Sequence, residues 1–381
     1  MKPYSIYIHI PFCIHRCAYC DFNTYAGKTH LINEYVEALQ LEIKNLRSSA
    51  KERLKVQSIY FGGGTPSLLA VSLIAKILST LFECFSIPPE IEISLEANPG
   101  TLSLSYLKDL FSVGINRLSI GMQSSHSQEL SFLERQHNFE DVIESVLWAR
   151  KAGFSNLSLD LIFGMPEQSM DAWCESLNRA LELAPEHFSL YALTIENGTQ
   201  MAQWLERGLI SAPDNDLAAD MYELACDKLL LAGYLQYEIS NWALIESGLN
   251  YQNFLPNSNL KNASHHNLQY WRNLPYLGFG AGAHGFAGGM RTANINSPEA
   301  YIQSQKNPIR LPYFPQTPAT ANCKIIDRET EMLETMMMGL RLTREGVSRL
   351  VFNERFQRQL DNAFGAKIEK LIGWGLLEWV E

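Results

Sequence analysis

A chain of 381 residues, 46% of them hydrophobic, is long enough for a large core with a smaller second unit. Its net charge of −10 excludes the basic face that a nucleic-acid partner needs, and the basic clusters Lys44–Lys55 and Arg341–Arg358 are interrupted by acids, as solvated helix faces are. Seven cysteines, no leader-like segment and no apolar run near ~18 residues point to a reducing, cytoplasmic setting without a transmembrane segment.

A short apolar strand, Ser5–His9, leads into Cys13, Cys17 and Cys20 at C-x3-C-x2-C spacing. Three thiolates so close together can take three corners of one iron–sulfur cubane. The fourth iron is then left open for chemistry. The same thiols with His9, His15 or Asp21 as a fourth ligand would suit a structural zinc ion, although no second ligand pair of the usual kind follows. The remaining cysteines, Cys84, Cys174, Cys226 and Cys323, are scattered on apolar helical patterns and read as buried, inert thiols.

From Ser5 to about Leu193, β-branched runs alternate with amphipathic stretches. Strands are expected at Ser5–His9, Val56–Phe61, Glu90–Glu96, Arg117–Ile120, Asn156–Ile162 and His187–Leu193. Helices are expected at Leu31–Arg47, Ser67–Phe82, Ser105–Val113, Glu140–Ala152 and Met170–Leu183, with Ser67, Ser105 and Asp171 as caps. Such units make an α/β fold, an incomplete (β/α)6 barrel, whose chemistry gathers at the carboxyl ends of the strands. The motifs obey that rule. Gly62-Gly63-Gly64-Thr65-Pro66 follows the second strand, where consecutive glycines suit either close backbone approach to a ligand or an ordinary tight turn. Leu95-Glu96-Ala97-Asn98-Pro99-Gly100 follows the third, Gly121-Met122-Gln123-Ser124 and Leu133-Glu134-Arg135-Gln136-His137 the fourth, and Asp160-Leu161-Ile162-Phe163-Gly164-Met165-Pro166 lies on the fifth.

Beyond the barrel, Asp214–Ala232 reads as an amphipathic helix and Tyr237–Trp242 as a short strand or turn. The glycine-rich stretch Tyr276–Gly289 reads as a close-packed turn, and the proline-spaced Pro298–Pro318 as a surface linker. Helical patterns then run from Asp327 through Met338, near Ser348–Gln359 and near Phe364–Gly373, before a strand at Leu376–Val380, a mostly helical, winged-helix-like module. The expected domains are residues 1–200 (barrel core), 201–318 (extension) and 319–381 (C-terminal module).

Taken in order, the cysteine motif with Tyr19 before its last cysteine, then GGGTP, EANPG, GMQS, LxRxH and DLIFGMP, resembles the HemN-type branch of the radical S-adenosylmethionine (SAM) proteins over nearly the whole chain. The resemblance implies a [4Fe-4S] cluster on Cys13, Cys17 and Cys20, with SAM on the open iron. It places Tyr7, Tyr19, Gly63, Gly64, Thr65, Glu96, Gln123, Arg135, Asp160 and Thr194 around SAM, and it is compatible with one or two SAM molecules. The branch contains an oxygen-independent coproporphyrinogen III oxidase and a haem chaperone. The oxidase has a further cysteine where this chain has Phe22, and a substantial extension where only twelve residues precede Cys13. His266-Asn267-Leu268-Gln269-Tyr270-Trp271 reproduces the HNxxYW motif of the chaperones. On residues alone, His266 reads as a loop histidine with Tyr270 and Trp271 in the core. The resemblance makes it the haem contact, since imidazole ligates haem iron, with His265 as an alternative. Glu134 stands where relatives commonly have glycine, at a cost in loop freedom beside Arg135.

The expected function is a haem chaperone that passes haem to an acceptor protein, with at most transient membrane contact. The alternatives are an oxidase that decarboxylates coproporphyrinogen III propionates and a zinc-stabilised binding module.

Overall fold

The computed structural model describes residues 2–246, 260–308 and 313–380. The chain opens with β1 (Tyr4–Ile10), the short paired bridges β2 (Phe12–Cys13) and β3 (Tyr25–Ala26), and α1 (Ile32–Ser49). Then come β4 (Val56–Gly63) with α2 (Val71–Cys84), β5 (Glu92–Ala97) with α3 (Leu104–Ser112), and β6 (Arg117–Gln123) with α4 (Ser127–Phe132) and α5 (Phe139–Ala152). They are followed by β7 (Leu157–Phe163) with α6 (Met170–Glu182), and by β8 (His187–Ala192) with α7 (Gln200–Glu206) and α8 (Asn215–Leu231). The later elements are β9 (Tyr234–Glu238), β10 (Asn241–Leu244), α9 (His265–Trp271), β11 (Tyr276–Phe279), β12 (His284–Ala287), β13 (Met290–Asn294), α10 (Pro298–Lys306) and β14 (Thr320–Ile325). Three helices, α11 (Arg328–Gly339), α12 (Arg349–Phe356) and α13 (Leu360–Gly373), complete the described chain.

The large sheet has 12 strands in the order β14-β13-β12-β11-β1-β4-β5-β6-β7-β8-β10-β9. From β11 through β8 all neighbours are parallel, and antiparallel strands extend both edges. The sheet does not close, so the expected incomplete (β/α)6 arrangement holds. Its strands alternate. On β7, Leu157, Leu159 and Leu161 are fully buried against the helices, while Ser158 and Asp160 face the other way. None of the helices among the described residues is long and apolar enough to cross a membrane.

Two expected caps move by two residues: the Ser103 hydroxyl accepts from Tyr106 N–H and the Ser169 hydroxyl from Ala172 N–H. In Ser103-x-Ser105 and Ser169-x-Asp171 both members have capping chemistry, and the chain uses the earlier one. Ser67 caps nothing; it sits in a 3-10 turn with its hydroxyl 2.6 Å from that of Thr101. Where a linker was expected, Pro298–Lys306 forms α10, whose Tyr301 and Ile302 are buried against the core; residues 309–312 of that stretch lie outside the described residues. Leu376–Val380 forms no strand, because it pairs with none, and α11–α13 pack as helices around Met332, Phe352, Phe356, Leu360 and Ile368. Of the scattered thiols only Cys84 is buried; Cys174, Cys226 and Cys323 are partly exposed.

Candidate cofactor site at the strand ends

Pro11 interrupts β1, and the chain then turns into a loop clamped at both ends. Phe12 and Cys13 pair with Tyr25 and Ala26. The glycine loop after β4 supports it from below, with Gly64 N–H donating to the Ile10 carbonyl and Thr65 N–H to that of Phe12, each at 2.8 Å. The approach is close enough to demand glycine. A Cβ on Gly64 would lie 2.6 Å from the Phe12 carbonyl oxygen and 2.9 Å from Cys13 Sγ, and Gly63 has a φ of +116°. Each thiol of the loop has a hydrogen-bonding neighbour: Thr65 Oγ1 at 3.6 Å from Cys13 Sγ, Arg135 Nη1 at 3.7 Å from Cys17 Sγ, and Thr24 Oγ1 at 3.7 Å from Cys20 Sγ. Burial pushes the Cys13 and Cys20 thiols up, and these hydroxyls pull the other way.

Below the loop lies a cavity of about 540 Å³ lined by the inner faces of the strands, a size suited to a cofactor. It gathers Cys13, Cys17, Cys20, Tyr19, Gly63, Gly64, Thr65, Glu96, Gln123, Arg135, Asp160 and Thr194. Glu96 accepts from Tyr60 Oη at 2.9 Å and from Gly63 N–H at 3.1 Å. Burial pushes it up to about 7 against the Tyr60 bond, and the charge of Asp160 adds to the rise. Asp160 accepts both ends of a fork from Ser119 Oγ, at 2.8 and 3.0 Å, and burial raises it too. Arg135 crosses the cavity wall to Asn98 Oδ1 at 2.6 Å and to the Gly121 carbonyl at 3.1 Å. Burial alone would lower Arg135, but Tyr19 and Cys17 beside it hold it above its ordinary value. Its Nε is buried without a partner.

Two expected residues do not line this cavity. Tyr7 stands behind Tyr60, ring centroids 6.3 Å apart, and its hydroxyl lies 2.9 Å from His9 Nδ1. His266 is on α9 rather than in a loop, and it is buried with both ring nitrogens engaged: Nδ1 with Ser58 Oγ at 3.0 Å, Nε2 with Tyr270 Oη at 2.9 Å. Burial presses it down to about 3, so the ring is neutral. Tyr60, Asn98, Ser119 and His187 were missed in the sequence although they line the cavity. The strand period offered a signal: a step of two residues from Asp160 reaches Ser158, and two such steps back from Gln123 reach Ser119. Glu134 adopts a left-handed φ of +57°, as does Gln123 at +65°, where β6 bulges.

Comparison with known proteins gives this geometry a family. Residues 7–180 match the radical SAM superfamily model and residues 326–379 the HemN C-terminal domain model. The chain is 38% identical to the heme chaperone HemW of Bacillus subtilis, over 98% of this chain and 92% of that one. The chain belongs to the HemW family of radical SAM proteins. It is also 34% identical to HemW of Lactococcus lactis, over 99% of this chain and 91% of that protein. Against a mitochondrial radical S-adenosyl methionine domain-containing protein 1 of Danio rerio the identity is 33%, over 97% of this chain and 80% of that one. The Escherichia coli coproporphyrinogen III oxidase HemN, a radical SAM enzyme, matches with a TM-score of 0.78 at 22% identity, covering 98% of this chain and 83% of that structure. That likeness shows the fold.

Membership in the HemW family implies SAM and a [4Fe-4S] cluster, and the residues present fit both. Three free thiols project from one clamped loop beside a roomy cavity. Two cavity carboxylates, Glu96 and Asp160, have no ion-pair partner among the described residues, which suits a ligand carrying a sulfonium and an ammonium. Arg135, with an orphaned Nε, suits the anionic side of a cluster or a carboxylate.

Proposed function

We propose that this protein is a haem chaperone, which binds haem, holds SAM and a [4Fe-4S] cluster in the strand-end cavity, and hands haem to an acceptor protein. One observation carries the reading: near-full-length similarity to curated heme chaperones, at 38% identity for the Bacillus relative, in a chain that keeps the HNxxYW motif intact on α9. In this reading Cys13, Cys17 and Cys20 hold the cluster. Gly63, Gly64, Thr65, Glu96, Gln123, Arg135, Asp160, Thr194 and Tyr19 surround SAM, with Tyr7 behind them. A cluster held by these thiolates would supply one electron at a time to SAM bound beside it. The chain's own residues exclude water, neutralise the ligand's positive groups through Glu96 and Asp160, and keep Arg135 against the thiolates.

His266 is the proposed haem contact. Its Nε2 now bonds Tyr270, so iron ligation would require that bond to open. The oxidase alternative has fold likeness behind it but lacks the extra cysteine: Phe22 is 63% exposed at the rim of the cysteine loop. The acceptor is a protein of unspecified identity, and the proposed location is the cytoplasm. The proposed domain limits are those drawn from the sequence.

The test is anaerobic purification with iron and sulfide analysis, followed by haem titration in the visible spectrum. His266→Ala is expected to weaken haem binding while cluster iron content stays at the wild-type level, since it removes the imidazole that would ligate haem iron. Unchanged haem affinity would remove His266 from the site. Formation of protoporphyrinogen from coproporphyrinogen III by the anaerobic protein would replace the chaperone by the oxidase.

A further inference from the structure

Neither cavity carboxylate stands alone: beside the Ser119 hydroxyl on Asp160 and the Gly63 N–H on Glu96, each has one further support that ends on α9. Asp160 Oδ1 lies 3.3 Å from Ser158 Oγ; Ser158 Oγ lies 2.8 Å from His187 Nδ1; His187 Nε2 lies 2.8 Å from Tyr237 Oη; and Tyr237 Oη accepts from Ser264 N–H at 3.2 Å. The donors run one way. Ser264 N–H occupies the tyrosine oxygen, so the tyrosine proton goes to Nε2, the Nδ1 proton goes to Ser158, and the serine proton goes to the carboxylate. A neutral imidazole has the single N–H this chain needs, and burial, with Arg117 nearby, holds His187 well below its ordinary value. Ser264 is the N-cap of α9.

The second support is stacked. The His266 ring lies over Tyr60, centroids 5.1 Å apart and planes at 26°, and the Tyr60 hydroxyl donates to Glu96. The groups that surround Glu96 are Tyr7, Tyr60, Tyr191, Tyr270 and Asp160, all acids, with no cation among them. The position of its carboxylate is therefore set by two donors, the Gly63 N–H on one oxygen and, on the other, the hydroxyl of the ring that Tyr60 presents. Ser264 and Asn267 of α9 also line the cavity themselves. The N-terminal end of the HNxxYW helix thus forms part of the cavity wall.

We propose that α9 is a positioning element of the SAM site, holding Asp160 through His187 and Glu96 through His266 and Tyr60, so that a ligand on the HNxxYW helix changes the affinity of the cavity for SAM. The first half rests on the cavity alone. The second half rests on the chaperone reading and makes haem that ligand. Coupling of this kind is reciprocal: SAM must change haem affinity by the factor by which haem changes SAM affinity.

Two variants cut the supports from outside the cavity. Tyr237→Phe removes the hydroxyl between Ser264 and His187, and Ser58→Ala removes the partner of His266 Nδ1. In cluster-loaded protein each is expected to weaken SAM binding about three- to tenfold, the size of a lost buried hydrogen bond, with iron content and melting temperature near wild type. S-adenosylhomocysteine, which lacks the sulfonium charge, should lose less. Equal losses of both ligands together with falling iron content would mean a merely structural role and would overturn the proposal, as would SAM affinity within twofold of wild type in both variants. Haem titrations with and without SAM test the coupling: an affinity shift of about fivefold or more, matched in the reverse titration, is expected. Haem that binds identically in both conditions overturns the coupling. Protein that binds SAM but no haem overturns the chaperone reading instead, and the SAM titrations of the variants still decide the role of α9.

Discussion

The two faces of the parallel strands carry opposite chemistry. Toward the helices, β7 and β8 present Leu157, Leu159, Leu161, Phe188 and Leu190, all essentially without solvent contact. Toward the cavity, the same strands present Ser158, Asp160, His187 and Ser189. Parallel strands usually read as unbroken apolar runs because both faces are packed, and barrel interiors are ordinarily filled with branched side chains. Here one face packs and the other is hollow and polar. The outer face stabilises the fold; the inner face leaves its carboxylates desolvated, held by neutral hydrogen-bond donors rather than by ion pairs among the described residues.

That division predicts opposite consequences for neighbouring residues. Leu159→Ala on the outer face should cost about 2–5 kcal/mol of folding stability, the range for a buried leucine truncation, read as a lowered urea midpoint. Cluster content and SAM affinity of the protein that remains folded should be unchanged. Ser119→Ala on the inner face should do the reverse. It removes the hydroxyl whose single proton is shared between the Asp160 oxygens, at 2.8 and 3.0 Å, and should weaken SAM binding several-fold at a stability cost of about 1 kcal/mol. Equal stability losses at the two positions would break the comparison.

The alternation explains what could be read in advance. Leu157-Ser158-Leu159-Asp160-Leu161 marks a strand and its two faces at once, and the cysteine spacing marks the loop above it. The six β/α units and the open barrel were therefore legible, as was the gathering of most motif residues at the strand ends, whereas the antiparallel strands at both edges of the sheet were not. What was not legible depends on contacts distant in sequence. His266 became a buried residue behind the cavity wall only because α9 packs against β4, bringing it to Ser58 across 208 residues. α10 became a helix although its prolines suggested a linker, since Pro298 sits in its first turn, where proline is tolerated. The strand expected at Leu376–Val380 failed for lack of a neighbour to pair with, which no local pattern reveals.

Glu96 sharpens the comparison through pH. Its carboxyl is raised from 4.5 to about 7 in the folded protein. Between those values the folded chain holds a proton that the unfolded chain has lost, so stability falls as pH rises through the window. The penalty is absent well below pH 4.5 and complete above 7. Glu96→Gln removes it. In ligand-free protein the variant should melt several degrees above wild type at pH 8, and the gap should close at about pH 4. The same substitution should weaken SAM binding about tenfold or more, since it deletes a charge facing a cation. Wild-type SAM affinity should rise with pH through about 7, and the variant should lose that rise. A variant that melts like wild type at pH 8 would mean that Glu96 is solvated and not under strain.

The smallest effect is expected at the rim, where the inner face meets the cysteine loop. Glu134 holds a left-handed φ of +57° that glycine adopts freely, and its carboxylate bonds His15 Nε2 at 3.1 Å and Gln200 Nε2 at 3.2 Å. Glu134→Gly relieves backbone strain of about 1 kcal/mol and loses partly exposed contacts of about the same worth. Stability should therefore stay within about 1 kcal/mol of wild type, a near-cancellation of the two terms. The loop between Cys13 and Cys17, however, loses its tie to the barrel wall, so iron should be released faster in air, by about twofold. Faster iron release at unchanged stability is the inner-face signature in its mildest form: the residue contributes to how the loop is held and almost nothing to the fold. A clear drop in melting temperature would instead place Glu134 with the outer-face leucines, and the tie to His15 would then belong to the framework of the barrel.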